Sequence, residues 1–447
     1  MTDLEMAKKI AKKVKEKGGR TFFVGGFVRD KLIGRENKDI DIEIHNITPK
    51  ELREVLNTLG TITEMGASFG ILGLKGYDID IAQPRAEMAN GRGHKDFEIF
   101  VDPFIGTENA AKRRDFTLNA LMEDVLTGEI IDHFNGLVDL NNGIIRHVNN
   151  ETFIEDPLRV LRAAQFAARF EFCIANETIE LAKTMSLTFL AKERICEEMK
   201  KALLKSNKPS IFFETLRKMN QLKDWFIEVE NLIGVPQPKE HHPEGDVWNH
   251  TMMVLDEAAK LKKTTTNQEA FMLTALCHDF GKSITTKEVN GVIRSLEHEK
   301  LGLPLVEQFL NRIVNEVKIK KYVLNMVELH MRPNMIANQK SKKKTSNKMF
   351  DKSIVPSDLV LFAKVDHLGR LNPSSYVEIE NFLLERLDWY NMTISQPEVL
   401  GKDLILAGLK PGPYFTNLLE FAHNLHLSNV DKDNALPQVI AESKKFV

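Results

Sequence analysis

In the segment KDIDIEI, Asp39 and Asp41 are two residues apart, so an extended strand presents both carboxylates on one face and Ile40 and Ile42 on the other. Hard divalent cations such as Mg2+ take a few carboxylate oxygens and keep room for water and phosphate, which makes the pair a candidate metal site. Upstream, TFFVGGFVRDKLIG reads as a strand, the pair Gly25-Gly26 and a short helix closed by Gly34, with Arg29 and Asp30 in its first turn. Backbone N–H groups at such a turn can approach an anion. Downstream, AKRRDFTLNAL sets Arg113, Arg114 and Asp115 together ahead of a helical pattern, a grouping that suits a phosphate and a ribose hydroxyl.

A further pattern opens at IEDPLRVLRAAQFAARF, where Asp156 and Pro157 mark a helix start and Arg159 and Arg162 fall one turn apart on one face. Asp before Pro is a good helix cap in its own right. The Asp with its Arg fork can also pair with the edge of a nucleobase. Much later in the chain, His250 starts a helical pattern, His278 and Asp279 stand side by side near a helix end, and Asp366 lies in LFAKVDHLGR. Imidazole with carboxylate ligation favours Mn, Fe, Ni, Co or Mg over a structural zinc. His298 and His330 are additional candidates, for a second metal or as pocket lining.

The elements that must hold these residues are of two kinds. From Thr21 to about Arg146 the pattern is strand-rich, with TFFV, DIDIEI, ILGLKGYDIDIA and GEIIDHF separated by short helices and glycines. Before it, Leu4, Ala7, Ile10 and Val14 recur at helical spacing and predict an amphipathic helix ending near Gly18-Gly19. After Asp156 the texture is helical, except for an alternating stretch near Lys287–Ser295. The polar, proline-bearing segment Ile233–Asp246 marks a boundary near residue 236. Lys340–Lys348, KSKKKTSNK, is the densest positive run and reads as a solvated loop or an RNA-phosphate contact. Near the end, GKDLILAGLKPGPYF reads as a helix, a turn at Pro411–Pro413 and another helix.

Composition bounds the rest. The 447 residues are 43% hydrophobic and 28% charged, which is ordinary globular usage. Lys plus Arg number 61 against 63 Asp plus Glu, a net charge of -2, so any nucleic-acid surface must be local. Cys173, Cys196 and Cys277 form no C-x-x-C and fit a reducing compartment. No apolar run is long enough to span a bilayer and no secretory signal is evident, so the expectation is a cytoplasmic chain without a membrane partner.

GGFVRD, the DID carboxylates, RRDFTLNA, DHFNGLVDLNNGIIRHV and EDPLRVLRAAQFAARF, in that order, resemble the bacterial tRNA nucleotidyltransferases, the CCA-adding enzymes of the polymerase-beta superfamily. The resemblance implies an α+β fold: a mixed-sheet head, then an all-helical neck, an HD domain and a tail. The boundaries expected are 1–150, 151–235, 236–385 and 386–447. It implies tRNA, CTP and ATP as partners, and Asp39 and Asp41 as catalytic carboxylates binding Mg2+. It further implies that Gly25, Gly26 and Arg29 contact the nucleoside triphosphate, and that Arg113, Arg114, Asp115 and Asn119 hold triphosphate and ribose. Asp156, Arg159 and Arg162 would select CTP or ATP without a nucleic-acid template. A third carboxylate is either Asp78 or Asp80, and spacing does not choose between them.

His250, His278, Asp279 and Asp366 resemble the H…HD…D ligand set of the HD phosphohydrolases, which implies a divalent metal such as Ni2+, Mn2+ or Mg2+ and action on 2',3'-cyclic or 2'-phosphate ends. Arg85, Arg92, His94 and Lys95 lie on a stretch expected to act as a mobile substrate loop, whose length argues for full CCA addition. The rivals are a CC- or A-adding enzyme, a poly(A) polymerase, or an HD phosphohydrolase or RNA-binding protein with a silent head.

Overall fold

A computed structural model describes residues 1–37, 39–65, 70–89 and 97–446. The chain forms two compact units, residues 1–198 with 211–221, and residues 199–210 with 222–447. The fold is α+β, a mixed-sheet head followed by helical segments.

The head sheet has seven strands in the order Ile62–Met65, Ile71–Leu74, Ile79–Ala82, Ile40–His45, Arg20–Val24, Met122–Asp124, Ile130–Ile131. Ile40–His45 and Ile79–Ala82 run parallel, and the other neighbours are antiparallel. Ile40, Ile42, Ile44, Ile79 and Ile81 are buried beneath them. That alternation fixes the register, because a slip of one residue would turn the isoleucines outward.

The first helix, Asp3–Glu16, starts in a capping box between Thr2 and Glu5 and packs against Arg20–Val24 and the helix Pro49–Asn57. Its buried face is Met6, Ala7, Ile10, Ala11 and Val14, whereas Leu4, expected there, is 40% exposed. The stripe follows the helical period from Met6 and leaves Leu4 outside it. A second departure lies after Asp115. The expected helical pattern is a single 3-10 turn, Thr117–Asn119, because Phe116 bridges His147 and residues 122–124 pair with Arg20–Val24. Gly26–Leu32 forms the short helix expected after the glycine pair. The helix Leu158–Phe170 buries Leu158, Leu161 and Ala164. The helical region also holds a small parallel pair, Ile144–Ile145 with Cys173–Ile174, and the antiparallel hairpin Thr286–Val289 with Val292–Ser295.

In the second unit the helix Gln268–Cys277 is buried on every side from Ala270 onward and packs against Val247–Leu261, Val317–Leu329 and Pro356–Leu368. A helix that is apolar all round belongs at the centre of a bundle. His278 and Asp279 follow it directly. The positive run expected as a loop is largely the helix Lys343–Lys352, anchored by buried Met349 and Phe350.

Gly281 and Gly302 touch backbone to backbone. A Cβ on Gly281 would lie 2.1 Å from the carbonyl oxygen of His298, and one on Gly302 would lie 2.6 Å from the Gly281 Cα. This approach draws His298 toward Asp279. Gly281→Ala should therefore destabilise the second unit by on the order of 2 kcal/mol through overpacking, read as an earlier thermal transition. An unchanged transition would show that the backbones can part freely.

Candidate active site

The strand pairing places Asp41 opposite Asp80 on neighbouring parallel strands, so both carboxylates leave the same face. Asp39, two residues before Asp41, is exposed, and its N–H donates to Asn37 Oδ1 at 3.0 Å. The register brings Asp80 to the pair, while the Asp78 N–H is directed to the Asp3 carboxylate at 3.3 Å. Burial raises the Asp41 carboxyl to about 6, the charge of Asp80 adding first, Asp39 adding less and Arg114 opposing. Asp80 is raised as well, by burial and then by Asp78 and Asp39. Carboxylates that push one another up form a donor set that a divalent cation relieves, so these oxygens fit one.

Gly25 sits against this set at φ 65°, where a Cβ would come within 3.2 Å of Arg114 Nη1 and 3.8 Å of Asp41 Oδ2. Both the positive φ and the close approach call for glycine. Gly26 opens the helix Gly26–Leu32 beside it. Arg114 Nη2 donates to Glu43 Oε2 at 3.2 Å, and Glu43 is also bonded to His45 at 2.9 Å. Arg113 Nη1 donates to the Arg85 carbonyl at 2.6 Å. Arg85, Arg113, Arg114 and Glu43 line a cavity of about 220 Å3. Arg92, His94 and Lys95 lie outside the described residues.

The other expected nucleotide-binding residues stand behind this face in one polar chain. Asp115, buried, accepts from Arg162 Nε at 2.7 Å and from Asn119 Nδ2 at 2.9 Å. Asn119 Oδ1 accepts from Arg29 Nη1 at 2.6 Å. Arg29 is 3% exposed, donates to Asp30 Oδ1 at 2.6 and 2.8 Å, and lies over the rings of Phe166 and Phe170. Arg29, expected from the sequence at the triphosphate, lies in the helix that follows the glycine turn and is held there by Asp30 and Asn119. Burial opposes the charge on Asp115, but Arg162 and Asn119 hold its carboxyl below the usual range.

Arg159 is tethered by donations to the carbonyls of Thr152 at 2.6 Å and Arg113 at 2.8 Å. Asp156 accepts from the Leu158 N–H at 3.1 Å and from Arg194 Nη2 at 2.8 Å. Glu43 and Arg194 are partners that sequence reasoning missed. Glu43 continues the alternation of Asp39 and Asp41, and that was its only signal.

In the second unit His250, His278, Asp279 and Asp366 converge, all buried, and His298 and His330 join them. His250 Nε2 is 3.0 Å from Asp366 Oδ1, and Asp279 lies 3.3 Å from His278 Nε2 and 3.2 Å from His298 Nε2. Each imidazole directs Nδ1 to an oxygen: His278 to Ala275 O at 3.0 Å, His298 to Ser295 O at 2.9 Å, His330 to Val327 O at 2.7 Å, His250 to Glu244 Oε1 at 3.0 Å. An Nδ1–H donated in this way leaves the Nε2 lone pair for a metal. His278 Nε2 is buried without a hydrogen-bond partner, and the Nε2 atoms of His298 and His330 face each other at 3.3 Å.

Two donor sets share Asp279, one with His250 and His278 and one with His298 and His330, so the residues fit one or two divalent ions. Burial and the neighbouring His298 and His278 push His330 down to about 3, which keeps it a neutral ligand. Lys282 Nζ, 2.7 Å from Asp279 Oδ2 and 2.8 Å from Gln237 Oε1, and Glu244 went unremarked in the sequence.

Among known families, one described as the poly A polymerase head domain matches residues 21–146 and one described as the HD domain matches residues 247–371. A "Multifunctional CCA protein" of Actinobacillus pleuropneumoniae is 34% identical over 391 residues, covering 85% of this chain and 92% of that protein. One from Mannheimia succiniciproducens is 37% identical over 317 residues, 69% of this chain and 72% of its own length. The fold is similar to that of a Thermotoga maritima CCA-adding enzyme complexed with tRNA, with TM-score 0.62, 20% identity and coverage of 98% of this chain and 95% of that one. It is also similar to a CCA-adding enzyme in complex with ATP, with TM-score 0.66, 20% identity, and 99% and 94% coverage.

The raised Asp41 carboxyl sets a pH dependence. The folded head binds this proton more tightly than the unfolded chain, so its contribution is present below the ordinary value of 3.8 and is lost as pH rises through about 6. In chelator at neutral pH, Asp41→Asn should stabilise the head by about 2 kcal/mol and abolish any gain from added Mg2+, whereas in acid the two proteins should melt alike. Equal melting at neutral pH would refute the electrostatic conflict.

Proposed function

The chain belongs to the family of multifunctional CCA proteins, and from that membership we propose that it adds CCA to the 3' end of tRNA from CTP and ATP, with Mg2+ and without a nucleic-acid template. The observation that carries the reading is the set Asp39, Asp41 and Asp80 facing Gly25 and Arg114. Mg2+ held by Asp39 and Asp41 would neutralise the triphosphate and acidify the tRNA 3'-hydroxyl.

The 3'-oxygen forms a bond to the α-phosphorus, the bond to the bridging oxygen breaks in line, and pyrophosphate leaves. Arg114, held by Glu43, and Arg113 place positive charge for the leaving group. Gly25 and Gly26 let the backbone approach the phosphates. Arg29, Asp115 and Asn119 position this face from behind.

Base choice falls to Asp156, Arg159 and Arg162. Arg159 commits one hydrogen of each terminal nitrogen to carbonyls, which leaves its Nε–H and two more donors for a base edge. We assign residues 1–150 to the catalytic head, 151–235 to the base-selecting neck, 236–385 to the HD domain and 386–447 to the tail. No helix among the described residues is long and apolar enough to cross a membrane. The three cysteines form no disulfide, which supports a cytoplasmic location.

A second activity is favoured by the converging imidazoles: metal-dependent hydrolysis of 2',3'-cyclic or 2'-phosphate ends at His250, His278, Asp279 and Asp366. Ni2+, Mn2+ or Mg2+ there would supply an acidified water. The chain's own part is to hold each imidazole by its Nδ1, to leave His278 Nε2 without a hydrogen-bond partner and to keep the two carboxylates ionised; burial opposes their charge, but His250 outweighs it at Asp366 and His278 and Lys282 outweigh it at Asp279.

The deciding experiment uses tRNA lacking its terminal CCA, with Mg2+ and CTP, ATP or both, resolved at single-nucleotide length. Two additions with CTP and a third only with ATP are expected. Arrest at CC with both nucleotides would make this a CC-adding enzyme, and no extension would leave the HD centre as the only chemistry. Asp39→Ala or Asp41→Ala should abolish incorporation in a folded protein, while Arg159→Ala should relax discrimination among the four nucleotides. His278→Ala should remove metal-dependent release of phosphate from a 2'-phosphorylated end and metal-dependent opening of a 2',3'-cyclic end to a phosphomonoester, and leave CCA addition intact; hydrolysis that persists refutes the HD assignment.

A further inference from the structure

The helix Lys343–Lys352 lies along one wall of a groove of about 890 Å3 in the second unit, with the helix Phe415–His426 on the other side. Lys344, Lys348 and Lys352 all line it, and all three are exposed. Four-residue spacing stacks them on one face of the helix, about 6 Å apart at each step. The groove is thereby edged by a regular row of ammonium groups rather than by scattered charge.

None of the three has a carboxylate within ion-pair distance among the described residues, nor does Arg332, exposed at the same groove. Some lysines elsewhere do find partners, as Lys13 does with Glu16, Lys31 with Glu123, Lys183 with Glu180 and Lys260 with Glu257. Of the carboxylates lining the groove, Asp351 is engaged by His423 at 3.0 Å, which leaves Glu299 and Glu420 against four cations. In a chain of net charge -2, a row of unpaired lysines is a local positive field, and it calls for a ligand carrying repeated negative charge.

We propose that this groove binds the sugar-phosphate backbone of RNA, with Lys344, Lys348 and Lys352 each meeting a phosphate. The proposal rests on the reading of tRNA as substrate and adds the surface that holds it. A regularly spaced cation row fits a regularly spaced polyanion, and lysine meets phosphate as a point charge without reading sequence. Glu299 and Met331, which also line the groove, directly follow His298 and His330, so the backbone surface and the imidazole cluster share a wall. RNA seated here lies beside the HD centre.

The test is equilibrium binding of CCA-lacking tRNA to the full chain over a series of salt concentrations. Each lost phosphate contact lowers the slope of log affinity against log salt by about 0.7 to 0.9. The triple variant Lys344→Ala, Lys348→Ala, Lys352→Ala should lower the slope by about 2 to 3 and weaken binding at least about tenfold at moderate salt. Its melting temperature should match wild type, and the corresponding triple arginine variant should restore the slope.

Removing Lys8, Lys12 and Lys15, exposed on the first helix, subtracts the same charge elsewhere and controls for a general field effect. If the two alanine triples bind alike, the groove is not an RNA surface, and an acidic protein segment becomes its better occupant. If wild type binds no tRNA at any salt, the substrate reading falls and this proposal falls with it. A wild type that binds and extends tRNA beside an unchanged groove variant overturns the groove alone.

Discussion

The head depends on one backbone pairing, that of Ile40–His45 with Ile79–Ala82, because it forces Asp41 and Asp80 together against their mutual repulsion. Side chains alone would separate. The isoleucines beneath both strands hold the register, and in doing so they convert hydrophobic burial into a concentrated negative charge on the opposite face. Much of the neighbouring sequence answers to that charge. Gly25 turns sharply enough to let Arg114 approach, Glu43 and His45 hold Arg114 in place, and Asp39 adds its charge to that of Asp41 and Asp80.

The second unit solves the same problem with different parts. His278 and His330 each cap the C-terminal end of a long helix, Gln268–Cys277 and Val317–Leu329, and each bonds back to the carbonyl three residues earlier. The capping bond fixes the tautomer, and the helix ends bring their partial negative charge toward the cluster. Two helix termini, two buried carboxylates and four imidazoles thus converge, with Lys282 against Asp279 and the charge of Arg370 acting on Asp366. The arrangement is coherent for cation binding and would be costly as packing alone.

Sequence carried the chemistry further than it carried the partners. Asp39, Asp41, the glycine pair and the candidate HD ligands could be singled out because each has a local signature: alternation in a strand, a turn, a histidine beside an aspartate. Which of Asp78 and Asp80 lies opposite Asp41 could not be, because it is a fact of register between segments about forty residues apart. The burial of Arg29 was illegible for a related reason: it is covered by Phe166 and Phe170, more than a hundred residues away. The helix misread after Asp115 and the loop misread at Lys340–Lys348 both came from local texture, which strand pairing overrode in one case and buried Met349 and Phe350 in the other.

Selecting a nucleotide with side chains instead of a template sets a requirement that the residues proposed for base choice meet structurally. A template base is held by its own strand, whereas an arginine that reads a base edge must be fixed before the base arrives, or its rotamer freedom erodes discrimination. Arg159 is fixed by two backbone carbonyls, and one of these belongs to Arg113. Arg162 is fixed by Asp115, which the chain through Asn119 and Arg29 ties to the glycine turn. The groups assigned to the base and those assigned to the triphosphate are therefore parts of one hydrogen-bonded frame, and a change in either is transmitted to the other through it.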